Sequence, residues 1–176
     1  MKYLLDKQES ERLRFRKLLP SDFDKWVEFM KNPVSTEYMW LTNSSDPAEK
    51  CKVWFDRVFS RYEINKGGMN VLIHKQSGDF VGQSGLLFHS IDGIEELEIG
   101  YAIMPQFRGQ GFATEAAKKC RDFAFENNLK DSLISIINPG NTYSMKVAAN
   151  TGMTLDKKIS KDGRHFNIYR IIKGGC

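Results

Sequence analysis

Long apolar runs are absent from this chain. No stretch approaches the roughly 18 residues that a membrane-spanning helix needs, so no membrane partner is expected. The first ten residues are charged and lack the apolar stretch of a secretory signal. Cysteine is scarce: Cys51, Cys120 and Cys176 lie far apart, cannot all pair within one chain and show no C-x-x-C spacing. That argues against a disulfide framework and a zinc site, and fits a reducing compartment, the cytoplasm. His74, His89 and His165 stand alone, so no metal is expected. Lys and Arg number 26 against 22 Asp and Glu, a net charge of +4, but they form no block. A nucleic-acid partner is therefore not expected, while a mildly positive surface suits an anionic small ligand.

What is present is enough for one folded domain over residues 1–176: 41% of the residues are hydrophobic and 27% charged. No internal repeat or low-complexity tract is found. Alternation predicts a strand over Arg12–Leu18. Ser21 reads as an N-cap with Asp24 as capping-box partner, opening a helix with Trp26, Phe29 and Met30 on one face that Asn32-Pro33 ends. Val34–Ser45 reads as irregular. Asp46-Pro47 opens a second helix, with Trp54, Phe55, Val58, Phe59 and Tyr62 as its buried stripe and Gly67-Gly68 as its stop. Met69–Lys75, Phe80–Phe88 and Glu95–Met104 read as an antiparallel meander, because turn residues join them. The clearest helix is Gly111–Asn127, whose small-residue face (Ala113, Ala116, Ala117, Cys120, Ala124) suits close packing on a sheet. A central strand over Leu133–Ile137, a helix capped by Asn141 and ended at Gly152, and strands Met153–Ser160 and Arg164–Ile172 complete the chain. About seven strands and four helices in this order make a mixed sheet flanked by helices, in the α/β or α+β class.

The chemistry concentrates between Glu98 and Ala116. A strand runs into Pro105, then a Gly-rich loop, then a helix. Unpaired N–H groups and the positive end of the helix dipole favour an anion at that junction. Gly109 and Gly111 let the backbone approach it, and Arg108 adds charge. A pyrophosphate is the natural guest. No Lys-Ser/Thr pair follows the glycines, which excludes a Walker loop, and Thr114 stands where a Rossmann fingerprint needs its third glycine.

Arg108-x-x-Gly111-x-Ala113, after a strand ending in Pro105, resembles the acyl-CoA-binding motif of the GCN5-related N-acetyltransferase (GNAT) superfamily. Four features resemble its ribosomal-protein-alanine N-acetyltransferase branch: the opening Arg12-Leu13-x-Phe15-Arg16, the run Glu98-Ile99-Gly100-Tyr101, the run from Gly111 to Ala116, and Asn141-x-x-Ser144 followed by Gly152-Met153. The likeness runs from about Glu9 to Ile172. It implies a GNAT-type fold with a twisted, mostly antiparallel sheet, acetyl-CoA as cosubstrate, and direct transfer within a ternary complex. Backbone around Tyr101 and Ile103 would pair with the pantetheine arm, and amides of Arg108, Gly109, Gly111, Ala113 and Thr114 would hold the pyrophosphate. Asn141 would cap its helix and reach the same arm. Many family members carry a tyrosine seven residues after this Asn as the acid for the departing thiolate, but that position is Ala148 here. Ser144, directly or through a water, is the expected partner of the leaving sulfur.

Acetyl transfer needs a neutral amine. An α-amino group near pKa ~7.7–8.0 is partly neutral at pH 7, whereas a lysine near ~10.4 is not. Glu98, on the strand beside the thioester, is the candidate base, alone or through a water chain. A backbone N–H near Ile103 would stabilise the oxyanion. The resemblance points to Glu37, Tyr38 and Trp40, with Asp162 and His165 of the last hairpin, for the acceptor. An aromatic and acidic lining suits a cationic amine. The expectation is a cytoplasmic, monomeric or homodimeric N-acetyltransferase acting on a protein or peptide N-terminus. The alternatives are a small amine (amino acid, polyamine, aminoglycoside) or an acyl-CoA-binding sensor without turnover.

Overall fold

The computed structural model describes residues 2–39 and 41–174. Seven strands form one sheet in the order β1-β2-β3-β4-β5-β7-β6. They are β1 (Leu13–Lys17), β2 (Gly67–His74), β3 (Phe80–Ile91), β4 (Ile94–Ile103), β5 (Ser132–Ile137), β6 (Thr154–Lys161) and β7 (Arg164–Ile172). Every neighbouring pair is antiparallel except β4 and β5. One face is covered by α1 (Phe23–Lys31), α2 (Pro33–Thr36) and α3 (Pro47–Glu63), the other by α4 (Phe112–Glu126) and α5 (Thr142–Asn150).

Two apolar layers hold the helices to the sheet. Trp26, Phe29 and Met30 of α1 meet Phe55 and Val58 of α3 over Met69 and Val71, with the Trp26 and Phe29 rings stacked at 4.1 Å. On the opposite face Ala116, Ala117, Cys120 and Ala124 let α4 settle closely onto Leu72, Leu86, Leu97, Ile99 and Leu133. Side chains alternate along β4, so Leu97 and Ile99 point toward α4 while Glu96, Glu98 and Ala102 point toward the face of α1 and α3.

Three local expectations are corrected. Ser21 is not the cap of α1. A single turn, Pro20–Asp22, precedes that helix, and buried Asp22 accepts the Leu19 N–H (2.9 Å) and both arms of the Arg16 guanidinium (2.7 and 2.8 Å). The stretch after Asn32 is not wholly irregular: Asn32 accepts the Ser35 N–H at 3.1 Å and caps the short α2. Gly67-Gly68 does not stop α3, which ends at Glu63; Asn65 takes the left-handed turn instead. The glycines open β2, where a Cβ on Gly67 would stand 1.9 Å from the Leu86 carbonyl oxygen. The Asp46 cap of α3 forms as expected, accepting the Ala48 N–H at 2.9 Å. No helix among the described residues is long and apolar enough to cross a membrane.

The sheet opens at its parallel seam. β3 and β4 are paired from Ile91–Ile94 to Gly82–Ile103, yet β4 and β5 share a single register pair, Glu98–Ile134. Below that pair the strands are pinned. Buried Glu96 accepts both arms of Arg170 on β7 (2.7 and 3.1 Å), and Arg170 also donates to Ser132 (2.9 Å) and to Asp156 on β6 (2.8 Å). Above it β4 runs into Pro105 and β5 into Asn138, so the strands part toward the Gly-rich loop.

Candidate active site

The Gly-rich junction has the expected form. β4 ends at Ile103, a turn spans Pro105–Phe107, and α4 starts at Phe112. Gly109 and Gly111 both sit in the left-handed region, at φ 74° and 84°, where a residue with a Cβ is strained. Gly111 is the N-cap of α4 and no side chain caps the helix, which leaves its first N–H groups, through Ala113 and Thr114, free for a ligand among the described residues. A Cβ at Gly109 would meet no heavy atom within 4 Å, so the loop's outer face is open.

Arg108 turns its charge away from that face, and its backbone N–H donates to the Pro105 carbonyl at 3.3 Å. Its Nε donates to the Ile103 carbonyl (3.1 Å) and its Nη2 to Ser35 of α2 (2.5 Å), which carries the guanidinium toward α1 and α2. The loop's electrostatic support comes from the start of the chain. Glu115, in the first turn of α4, accepts the Ser10 hydroxyl, the Arg12 backbone N–H and the Arg12 Nε, each at 2.7 Å. The same guanidinium donates to the Gln110 carbonyl (3.1 Å) and lies 4.2 Å from the Phe112 ring centroid. Arg12 and Glu115 both lie in stretches that carry the family resemblance, but nothing in the sequence pairs them, because 103 residues separate them.

The opening between β4 and β5 is lined by hydroxyls. Ser135 donates across it to the Ile99 carbonyl at 2.9 Å. Asn141 caps α5 by accepting the Ser144 N–H at 3.0 Å, and the Ser144 carbonyl accepts the Tyr101 hydroxyl at 2.9 Å. Tyr101 therefore joins β4 to the first turn of α5, where Ser144 sits half-buried. Burial first, and then the charge of Glu98, push the Tyr101 phenol up, so it stays a neutral donor. Ala148 is buried in the core, so no acid occupies that position.

Glu98 is no solvated strand carboxylate. Its side chain is 16% exposed, and Oε2 lies 2.7 Å from His89 Nε2. Oε1 is 3.4 Å from the Ile136 N–H of β5. His89 did not register as a site residue because it is isolated in sequence. The meander register supplies the missing signal: it sets His89 opposite Glu96 and one diagonal step from Glu98. On the acceptor side, Glu37 is exposed and hydrogen-bonded to Tyr38, which raises the Tyr38 phenol. The Tyr38 hydroxyl lies 3.1 Å from where a Cβ on Gly140 would be, which places it over the loop between β5 and α5. Trp40 lies outside the described residues. Asp162 forms the turn of the last hairpin, and His165 Nδ1 bonds with the Ser160 hydroxyl at 2.8 Å on its exposed surface. Cys51 and Cys120 are buried, and burial pushes both thiols up to about 12. Neither is a thiolate at neutral pH, so neither is poised as a nucleophile.

Comparison with known proteins agrees with this geometry. The model of the acetyltransferase (GNAT) domain matches residues 12–154. A protein of Bacillus subtilis (strain 168), YkkB, is 35% identical over 95 residues, 54% of this chain and 55% of that relative's length. The N-acetyltransferase p20 of Bacillus licheniformis is 27% identical over 139 residues, 78% of this chain and 76% of its own. An acetyltransferase structure from Agrobacterium tumefaciens str. C58 superposes with a TM-score of 0.78 at 27% identity, covering 96% of this chain and 95% of that one. The ribosomal-protein-S5-alanine acetyltransferase of Vibrio fischeri shares the fold at a TM-score of 0.67 and 17% identity, covering 94% and 96%. A strand parted from its parallel neighbour, a left-handed glycine loop on an uncapped helix and the family match over residues 12–154 lead to one conclusion: the chain belongs to the acetyltransferase (GNAT) domain family and is an acetyltransferase.

Proposed function

We propose that the chain transfers acetyl from acetyl-CoA directly to a primary amine, with a protein or peptide N-terminus as preferred acceptor. The carrying observation is the parting of β4 from β5 beyond Glu98, with the uncapped N-terminus of α4 following the end of β4 and Tyr101 tying that strand to Ser144. GNAT acetyltransferases use acetyl-CoA, and these residues fit it. Backbone N–H groups of Gly109, Gly111, Ala113 and Thr114 suit a pyrophosphate, that of Arg108 being already given to the Pro105 carbonyl, while Tyr101 and Ile103 on the parted strand, with Asn141 near them, suit an amide-bearing arm. Bound there, the cosubstrate supplies an activated acetyl thioester.

The chain's own residues do the rest. Glu98 accepts a proton from the acceptor amine, and a strand N–H near Ile103 receives the developing oxyanion. Ser144 meets the departing sulfur, directly or through water. Tyr38, over the loop at Gly140, and Glu37, hydrogen-bonded to it, offer an aromatic face and an acid to a cationic amine. The α-amine preference follows from basicity, since an α-amine is partly neutral at pH 7 and a lysine is not. The likeness to ribosomal-protein acetyltransferases points the same way. The test is release of CoA, followed by chromatography, with N-terminal peptides, lysine, spermidine and an aminoglycoside as acceptors against a no-acceptor blank. Turnover with the peptides is expected. Turnover with a small amine alone would move the acceptor class, and acetyl-CoA binding without turnover would favour a sensor.

A further inference from the structure

The α1–α3 face carries a second feature beside Glu98. A cleft of about 680 Å³ opens between the C-terminal half of α3 and the adjoining ends of β3 and β4, with Arg61, Phe88 and His89 among its walls. His89 joins this cleft to the opening between β4 and β5. Its Nε2 is shut off from solvent and has no aligned hydrogen bond among the described residues, while Glu98 Oε2 stands 2.7 Å away. The rest of the ring, with the side chain 31% exposed, faces the cleft. The groups facing the pair are Arg61 from α3, whose Nη1 donates to the Phe88 carbonyl at 2.9 Å, and Glu96, opposite His89 and already bound to Arg170. Tyr101 is the neutral phenol beside Glu98, and the Lys66–Glu95 pair stands at the cleft's rim.

The reaction needs such a connection. An acceptor arriving as an ammonium carries three N–H bonds, and the amide product keeps one. One proton ends on the CoA sulfur as the C–N bond forms and the C–S bond breaks. The other leaves to solvent each turnover. Glu98 is only 16% exposed, and the imidazole beside it links the carboxylate to the cleft.

We propose that His89 is the positioning and proton-relay residue for Glu98, holding the carboxylate in place and passing the ammonium proton to water in the α3–β3 cleft. This rests on Glu98 being the base, and the test separates the two. His89→Ala, His89→Gln and Glu98→Gln are compared in acetyl transfer to a peptide N-terminus and to spermidine, with and without imidazole in the buffer. In both His89 variants kcat is expected to fall about tenfold to a hundredfold, at or below the low end for a lost proton-transfer group, with KM for acetyl-CoA unchanged. Imidazole restores His89→Ala but not Glu98→Gln. Full activity of both His89 variants beside a slow Glu98→Gln overturns the relay and leaves the base in place; full activity of Glu98→Gln overturns both. An acceptor-free readout decides the pairing whatever the turnover: the nitrogen NMR resonance of His89 Nε2 should move when Glu98 becomes Gln, and an unmoved resonance would overturn the proposal.

Discussion

Replacing Gly111 with Val tests the phosphate loop at its N-cap. The backbone there sits at φ 84°, and forcing a residue with a Cβ into the left-handed region costs about 1–2 kcal/mol. The Cβ itself adds no clash, because the nearest heavy atom to it at Gly111 is Arg12 Nη2 at 3.5 Å, an ordinary contact. At about 2–4 °C per kcal/mol for a chain of this size, the free protein should lose about 2–8 °C in Tm and remain folded. Binding should suffer far more. The branched side chain would stand over the N–H groups proposed to hold the pyrophosphate. Losing two charge-assisted hydrogen bonds at about 1.5 kcal/mol or more each removes at least ~3 kcal/mol, over a hundredfold in Kd. Calorimetric titration with acetyl-CoA reads the affinity directly. Thermal shift gives a second measure: a hundredfold excess over Kd adds about 2.7 kcal/mol of stability, or about 5–11 °C, to the wild-type chain and little to the variant. A folded Gly111→Val protein with unchanged acetyl-CoA affinity would refute the loop assignment.

Three further outcomes follow from contacts away from the reacting atoms. Burial alone would raise the Glu115 carboxyl, but the bonds from Arg12 and Ser10 outweigh it and hold it below its ordinary value. A depressed folded-state value gives stability that is present above the unfolded value near ~4.3 and lost as pH falls through the folded one. Glu115→Gln should therefore lower Tm at pH 7 and show a gap to wild type that closes on acidification below about pH 4; a gap of constant size would refute the reading. Arg170→Met strands buried Glu96, a loss of the kind that costs about 3–5 kcal/mol, so Tm should fall by about 6–20 °C; a fall under ~3 °C would show that the seam is not pinned there. Cys51 and Cys120, with thiols pushed up to about 12, should resist iodoacetamide at pH 8 until the chain unfolds, as peptide mapping would show.

What could be read from the sequence was what short stretches determine alone. Asp46-Pro47 and Asn141 are caps whose bonds close within three residues, and both form as read. The alternating meander and the left-handed glycines around Gln110 are equally local. Asp22 displaced Ser21 because its best partner, Arg16, comes from the preceding strand. Gly67-Gly68 resembled a helix stop, but the demand for glycine came from the Leu86 carbonyl of β3, which no local pattern reveals. The site divides in the same way. The Gly-rich loop was legible, whereas the His89–Glu98 pair needs the strand register and the Arg12–Glu115 bond needs the packing of α4 against the start of β1.

The central claim, that this chain acetylates an α-amine with acetyl-CoA, is tested most directly with one peptide that carries both a free N-terminus and an internal lysine. Incubation with acetyl-CoA, followed by tandem mass spectrometry, locates each acetyl group. The account predicts acetyl on the α-amine alone, one CoA released per acetyl added, and loss of both products in Gly111→Val. Acetyl on the lysine ε-amine, or no peptide product while spermidine or an aminoglycoside is acetylated, would contradict it.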